Sequence, residues 1–371
     1  MAVLKDLSSY ETISLLQLTP DEFILGVDGK LFFETNLTEF SDDVFYFKDF
    51  FSSNYFVHQP STIFTLSKDE LSKLLPSAPP LVQFTKIGDN QLRYEEQFHN
   101  FKNSPLNKVV LTGTEAYQLT SPGQSMPWEF WIKKSLEVQG ATSYAFVYSK
   151  DGRQHGLVGA TPELLFNLNE NDQFDFQALA STVIMGEESQ LSECSKYQNE
   201  FQWVIEDITS KLTKLNFHLE LAPTSFKKFQ SLIHLQKKIT GKLASIPNLN
   251  KELAKLVNSL SPTAALGGFP AHEALKFLRA LDLRTPRLFG SAFGIKTKMK
   301  ARFIVAIRNI QWQEKEFSIE TGTGIVHQSL LGKELEEVQR KRTQIANHYL
   351  RPLQGHFHEY LLQKQGMEHS L

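Results

Sequence analysis

The chain carries one cysteine in 371 residues, Cys194, so it can form neither an intramolecular disulfide nor a multi-cysteine metal site. It has no apolar run near the roughly 18 residues that a membrane-spanning helix requires. The opening MAVLKDLSSYE lacks the apolar core of a secretory signal, which sets the expectation of a soluble, cytoplasmic protein. Charge of either sign is not in excess: 39 Lys and Arg against 41 Asp and Glu leave a net charge of −2. With no basic stripe, a dedicated nucleic-acid surface is not expected. A P-loop is absent, and Gly322-Thr-Gly324 lacks the third glycine of the dinucleotide fingerprint. His272-Glu273 opens no H-E-x-x-H pair because Lys276 stands where the second histidine would be. No nucleophile elbow is visible, and His356 and His358 near the terminus read as surface residues.

What the chain does have is an ordinary globular balance, 41% hydrophobic and 22% charged, with 29 phenylalanines to fill its core. Its length suits one large domain or two smaller ones. The proline-rich break at Pro76-Ser-Ala-Pro-Pro80 divides a β-rich region, 1–85, from the remainder, 86–371. The first region is expected to belong to the same sheet architecture as the second. DEFILGVDGKLFFETN reads as two strands joined at Asp28-Gly29. Residues 90–102 have helical spacing, and NKVVLTG, TSYAFVYS and PELLFNL read as strands. Residues 196–214 form an amphipathic helix with Phe201, Ile205, Ile208 and Leu212 on its core face. Residues 224–246 show no clear period, 251–258 and 271–281 are helical, and RFIVAIRNIQW reads as one strand. Strands grouped with outer helices, without regular alternation, point to an α+β fold.

The most informative stretch is TGTGIVHQSLLGKELEEVQRK, from Thr321 to Lys341. It reads as a glycine-rich turn at Gly322 and Gly324 leading into a helix. Spacings of three and four place Glu334, Glu337 and Lys341 on one helical face, with side-chain roots roughly 5–6 Å apart. Two carboxylates and a lysine beside backbone N–H groups suit a magnesium-bound, carboxylate-bearing small molecule. The same pattern is also compatible with a solvated helix face.

Four further segments accompany it in order: Asn107-KVVLTG, Gly159-ATPELLF, Lys196-YQNEFQWVIEDI and Ser261-PTAALGGFP, with RFIVAIR preceding the last stretch. Together, over residues 90–350, they resemble the chorismate-utilising enzymes, the family of isochorismate, salicylate, anthranilate and aminodeoxychorismate synthases. That resemblance implies a large antiparallel β-sandwich flanked by helices, the fold of anthranilate synthase component I. It implies chorismate as substrate, Mg²⁺ as cofactor and no obligatory protein partner. Lys108 then matches the general base of water-adding members and Glu163 the general acid. Glu200 and Glu337 match the magnesium ligands, with Glu334 beside them. Arg308 matches the carboxylate clamp, near the Gly322–Gly324 backbone and Lys341, and Thr182, Ala265 and Phe289 fall at substrate-facing positions. Ala265 stands where salicylate and anthranilate synthases more often carry Thr, which favours isochorismate synthase, an enzyme that serves menaquinone and catechol siderophore synthesis alike. Salicylate synthase, aminodeoxychorismate synthase and a non-catalytic chorismate-binding paralogue are the alternatives.

The chemistry asks for these residue types. Moving a hydroxyl from C4 to C2 of chorismate needs water deprotonated on one side and a leaving hydroxyl protonated on the other. A lysine takes a proton only when neutral, a form favoured by burial or nearby positive charge. A glutamate gives one near neutral pH only where an apolar setting keeps it protonated. An arginine grips a carboxylate in a planar, bidentate way that lysine cannot reproduce. The chain departs from the family pattern at Ser261 (usually His), Phe201 (His), Val183 and Met185 (Arg) and Phe289 (Tyr). The acid, base, metal and clamp positions all remain chemically competent.

Overall fold

The computed structural model describes residue 4 and residues 6–354, except 121–122, 170–171, 244, 246–247, 283, 285 and 299. His356 and His358 lie outside the described residues. The described strands form two ten-stranded sheets in which every pairing is antiparallel. The longest strands lie toward one end of each sheet, Lys108–Leu119 and Glu316–Val326 in the first, Phe174–Ile184 and Leu232–Leu243 in the second.

The sheets face one another through an aromatic layer. Phe146 and Tyr144 from the first sheet meet Phe47 and Phe293 from the second, with Phe47 and Phe146 centroids 5.8 Å apart. The abundant phenylalanine is spent there and on the outer face of the second sheet, where helices Ser195–Lys214 and Leu249–Leu260 pack. The outer face of the first sheet is covered by helix Trp128–Ser135 and the end of helix Leu331–Tyr349. This is the α+β class that the sequence pattern suggests, in the helix-flanked antiparallel sandwich that the family resemblance implies. No helix among the described residues is long and apolar enough to cross a membrane.

The N-terminal strands are shared between the sheets. Thr12–Gln17, Glu22–Val27 and Thr62–Ser67 join the first, while Lys30–Glu34, Val44–Lys48 and Tyr55–Gln59 join the second. Asp28-Gly29 therefore does not close a hairpin; the chain changes sheet there, with both residues at positive φ, 48° and 93°. The region without clear period, 224–246, supplies strands Ser225–Phe229 and Leu232–Leu243.

Two further sheet changes build the candidate site, and the first corrects the sequence reading. RFIVAIRNIQW is not one strand: Ala301–Val305 lies in the second sheet and Asn309–Gln313 in the first. The break falls at Arg308, which adopts a left-handed backbone with φ 58°. The chain crosses in the opposite sense between Arg153–Thr161 and Leu164–Leu168, carrying Glu163. The crossings are tied together, since Val305 N donates to Glu163 O at 3.1 Å and Ala160 N to Arg308 O at 3.3 Å. The acid and the clamp predicted from sequence are thus held at one seam by backbone hydrogen bonds.

Candidate active site

A cavity opens at that seam, bounded by both crossings, the start of helix Ser195–Lys214 and the first turns of helix Leu331–Tyr349. Its wall includes Glu163, Thr182, Glu200, Ala265, Phe289, Arg308, Gly322, Gly324, Glu337 and Lys341. All the sequence-predicted residues are there except Lys108 and Glu334, which stand one contact behind it. Lys108 Nζ lies 3.0 Å from Glu200 Oε1, and Glu334 Oε1 accepts from Lys196 Nζ at 2.6 Å.

Gly322 and Gly324 are not a turn. They lie inside strand Glu316–Val326, paired with Thr112 and Val110. Their physical role is close approach: a Cβ on Gly324 would stand 2.1 Å from Glu200 Oε1 and 3.0 Å from Lys108 Cε. Only a residue without a side chain lets the Lys108–Glu200 pair sit against this strand. Pairing with Asn309–Gln313 ends at Ile319, so beyond it this strand has one free edge toward the cavity. The Gly322 carbonyl faces that edge and accepts from Lys341 Nζ at 2.7 Å.

The charged groups form three lysine–glutamate pairs. Besides Lys108–Glu200 and Lys196–Glu334, Lys341 Nζ lies 2.7 Å from Glu337 Oε1, four residues away on the same helix. Burial raises the pKa of Glu334, and the neighbouring Glu337 adds to that rise against the opposing Lys196. Burial is the largest influence on Glu337 and pushes it the same way, but Lys341, Lys196 and Arg340 together outweigh it and hold the carboxyl below its usual range. Glu163 is 6% exposed and has no ion-pair partner among the described residues. Its burial pushes the pKa up to about 7, against the pull of Lys108, Lys227 and Lys341. That is the tuning a general acid needs near neutrality.

Arg308 is nearly fully buried, lies over the Phe229 ring at 5.3 Å and donates from Nη1 to Gln344 Oε1 at 3.2 Å. Burial lowers its pKa, with Glu337 opposing. Phe289 closes the apolar side.

Glu200 and Glu337 offer oxygen donors to one cavity from two helices, with Glu334 behind. Among the described residues no three His, Cys, Asp or Glu side chains converge as a metal-binding group. Magnesium does not require such a group, because it keeps several waters and is commonly held by one or two carboxylates plus the substrate's own oxygens. The donor set fits that ion in kind.

Several wall residues were not singled out from sequence. His234 is buried, receives or gives a hydrogen bond to Thr182 Oγ1 at 2.9 Å, and has no partner for Nε2 among the described residues. Burial, with Arg308, Lys341 and Lys227 adding to it, holds the ring well below its usual pKa, so it is neutral. Ser181 sits at a bulge with φ 56°, and its hydroxyl donates to Tyr197 O at 2.7 Å with Glu200 Oε2 at 3.4 Å. Lys196 had been visible only as the start of the motif containing Glu200.

A family model described as "Chorismate binding enzyme" matches residues 74–348. Among curated proteins, the chain is 28% identical to a chloroplastic isochorismate synthase of Catharanthus roseus, covering 76% of this chain and 49% of that protein. It is 26% identical to the isochorismate synthase MenF of Pasteurella multocida, covering 67% of this chain and 58% of that one. The chain therefore spans about half the length of the curated relatives it matches. Among solved structures, the menaquinone-specific isochorismate synthase MenF of Escherichia coli superposes with a TM-score of 0.74 at 18% identity, covering 95% of this chain and 91% of that one. Anthranilate synthase component I of Streptococcus pneumoniae gives 0.65 at 13%, covering 93% and 94%. At these identities the two structures establish the shared fold.

Proposed function

The chain belongs to the chorismate-binding enzyme family, and on that premise we propose that it is an Mg²⁺-dependent isochorismate synthase acting on chorismate. The observation that carries this reading is a buried Glu163, without an ion pair among the described residues, on the wall of a cavity that also holds Glu200, backed by Lys108, and Arg308. Acid, base and carboxylate clamp are the parts needed to exchange a C4 hydroxyl for one at C2.

In this mechanism Arg308 and Lys341 orient the substrate carboxylates, with the Gly322–Gly324 edge beside them. Bound magnesium would supply positive charge to a substrate carboxylate, held by Glu200 and Glu337 with Glu334 behind. Lys108 must first shed the proton that pairs it with Glu200; in its neutral form it then takes a proton from water as the water oxygen bonds to C2. Both ring double bonds shift, C1=C2 to C1=C6 and C5=C6 to C4=C5, and the C4–O bond breaks as Glu163 delivers its proton to the leaving hydroxyl. One water enters and one leaves, so the step is an isomerisation without redox change. Lys108 ends protonated and Glu163 ionised, and one proton must return from the first to the second before the next turnover. Phe289 and Ala265 give the ring an apolar wall.

The test is product analysis after incubating the full chain with chorismate and Mg²⁺, with and without EDTA. Isochorismate formed only in the presence of the metal supports the reading. Salicylate plus pyruvate would reassign it to salicylate synthase. Chorismate that binds and stays unchanged between about pH 6 and 9 would mark a non-catalytic binding paralogue, the reading that Ser261, Phe201 and Phe289 favour.

A further inference from the structure

A second cavity of about 340 Å³ lies behind the Glu163 crossing and shares only Pro162 with the catalytic wall. Its lining brings together Lys227, Lys238 and Arg302 against one acidic residue, Asp175. None of the three cations forms an ion pair among the described residues. Lys227 Nζ donates to the Pro162 carbonyl, and Arg302 donates from Nη2 to Thr142 Oγ1 at 3.0 Å. Arg302 Nε has no acceptor among the described residues. Gln177, 7% exposed, accepts at Oε1 from Leu164 N at 3.3 Å, and its Nε2 has no partner among the described residues.

We propose that this cavity is a binding site for a small oxyanion, a carboxylate or phosphate group, seated between Arg302, Lys227, Lys238 and the amide of Gln177. Unpaired buried donors and like charges facing one another are each unfavourable, and one multi-oxygen anion relieves both. The space far exceeds the roughly 30 Å³ that one water occupies in the liquid. Lys227 also acts on Glu163 from this side, so an anion held here reaches the catalytic acid through that lysine. The site itself does not depend on the catalytic reading.

The experiment is calorimetric titration and thermal melting of the full chain, without chorismate, in inorganic phosphate and separately in malonate, at ionic strength fixed with chloride. One saturable equivalent per chain is expected for phosphate, for malonate or for both, and the two arms separate phosphate from carboxylate preference. Lys238→Ala changes an exposed side chain and leaves the melting temperature in chloride unchanged. It and Arg302→Met are each expected to weaken binding roughly tenfold, the loss of one charged hydrogen bond. Arg308→Met, in the other cavity, leaves binding unchanged. Absence of saturable binding by either anion would overturn the proposal. So would equal binding by Lys238→Ala and the parent, or loss of binding in Arg308→Met, which would move the anion to the catalytic clamp.

Discussion

Lys108 Nζ and Glu200 Oε1 lie 3.0 Å apart, so the residue proposed as base and a residue proposed as metal ligand are each other's counterion. The lysine side chain is 1% exposed and the glutamate 10%, too dry for either charge to stand alone. Lys108→Met is therefore expected to lower stability by about 3–5 kcal/mol, the usual result of breaking a buried pair from one side. Turnover should fall by roughly 10²–10⁴-fold, the contribution of general acid–base groups. Denaturant unfolding and a product assay check the two effects, and parental turnover in the variant would remove Lys108 from the mechanism.

Glu163, with its pKa pushed up to about 7 by burial, sets a limit at alkaline pH. The acid must carry its proton, so kcat/KM should fall about tenfold per unit above pH 7. Stability carries the same signature with a definite sign. The folded-state value lies above the ordinary 4.5, so the native chain holds a proton that the unfolded chain has lost between those pH values. This contribution is fully present below about 4.5, declines as pH rises toward 7 and is absent beyond. Glu163→Gln should abolish turnover and flatten that part of the stability–pH curve. An unchanged curve would contradict the assigned burial.

Glu334, Glu337 and Lys341 were legible as one helix face from the spacing E-x-x-E-x-x-x-K, whereas Lys108, Glu163, Glu200 and Arg308 were singled out only by the resemblance of their motifs to the family. The helix core of Phe201, Ile205, Ile208 and Leu212 was likewise legible from its spacing, and all four are buried. Less visible was anything created by a change of sheet. RFIVAIRNIQW is apolar on both sides of Arg308, and no local signal marks the residue whose backbone turns left-handed. His234 escaped because Leu232, Ile233, His234 and Leu235 are all buried, which erases the alternation that identifies a strand face. Gly322 and Gly324 were seen but misread, since spacing alone cannot distinguish a turn from a strand pressed against a carboxylate. Lys196 became meaningful only when helix Leu331–Tyr349 brought Glu334 to it.

The Gly324 contact makes a direct prediction. Gly324→Ala places a methyl group within 2.1 Å of Glu200 Oε1, and Lys108 holds that carboxylate in place. Relief requires the pair to separate or the strand to move, at the roughly 1–3 kcal/mol typical of overpacking. We expect kcat/KM to drop about 10–100-fold, together with weaker Mg²⁺ binding by calorimetry. Gly322→Ala meets Val110 Cγ1 at 3.0 Å, with Leu111 O and Thr112 Cγ2 at an ordinary 3.5 Å, and should be milder. The reverse order would argue that the backbone edge at Gly322 matters more than the room beside Glu200.

Arg308 owes its aim to residues distant from it in sequence. Gln344 receives its Nη1 hydrogen bond at 3.2 Å and is itself fixed by donating to Ser231 Oγ at 2.6 Å, while Phe229 lies under the guanidinium. A left-handed backbone at a residue other than glycine is unfavourable, so Arg308 needs this support to stay in place. Gln344→Leu removes the acceptor without altering charge. It should raise KM for chorismate by roughly tenfold while kcat changes less than about twofold, because the clamp acts on bound substrate before and during the step alike. Gln344→Glu keeps an acceptor and should restore most of the affinity. A fall in kcat with KM unchanged would instead place Arg308 among the groups that act only in the transition state.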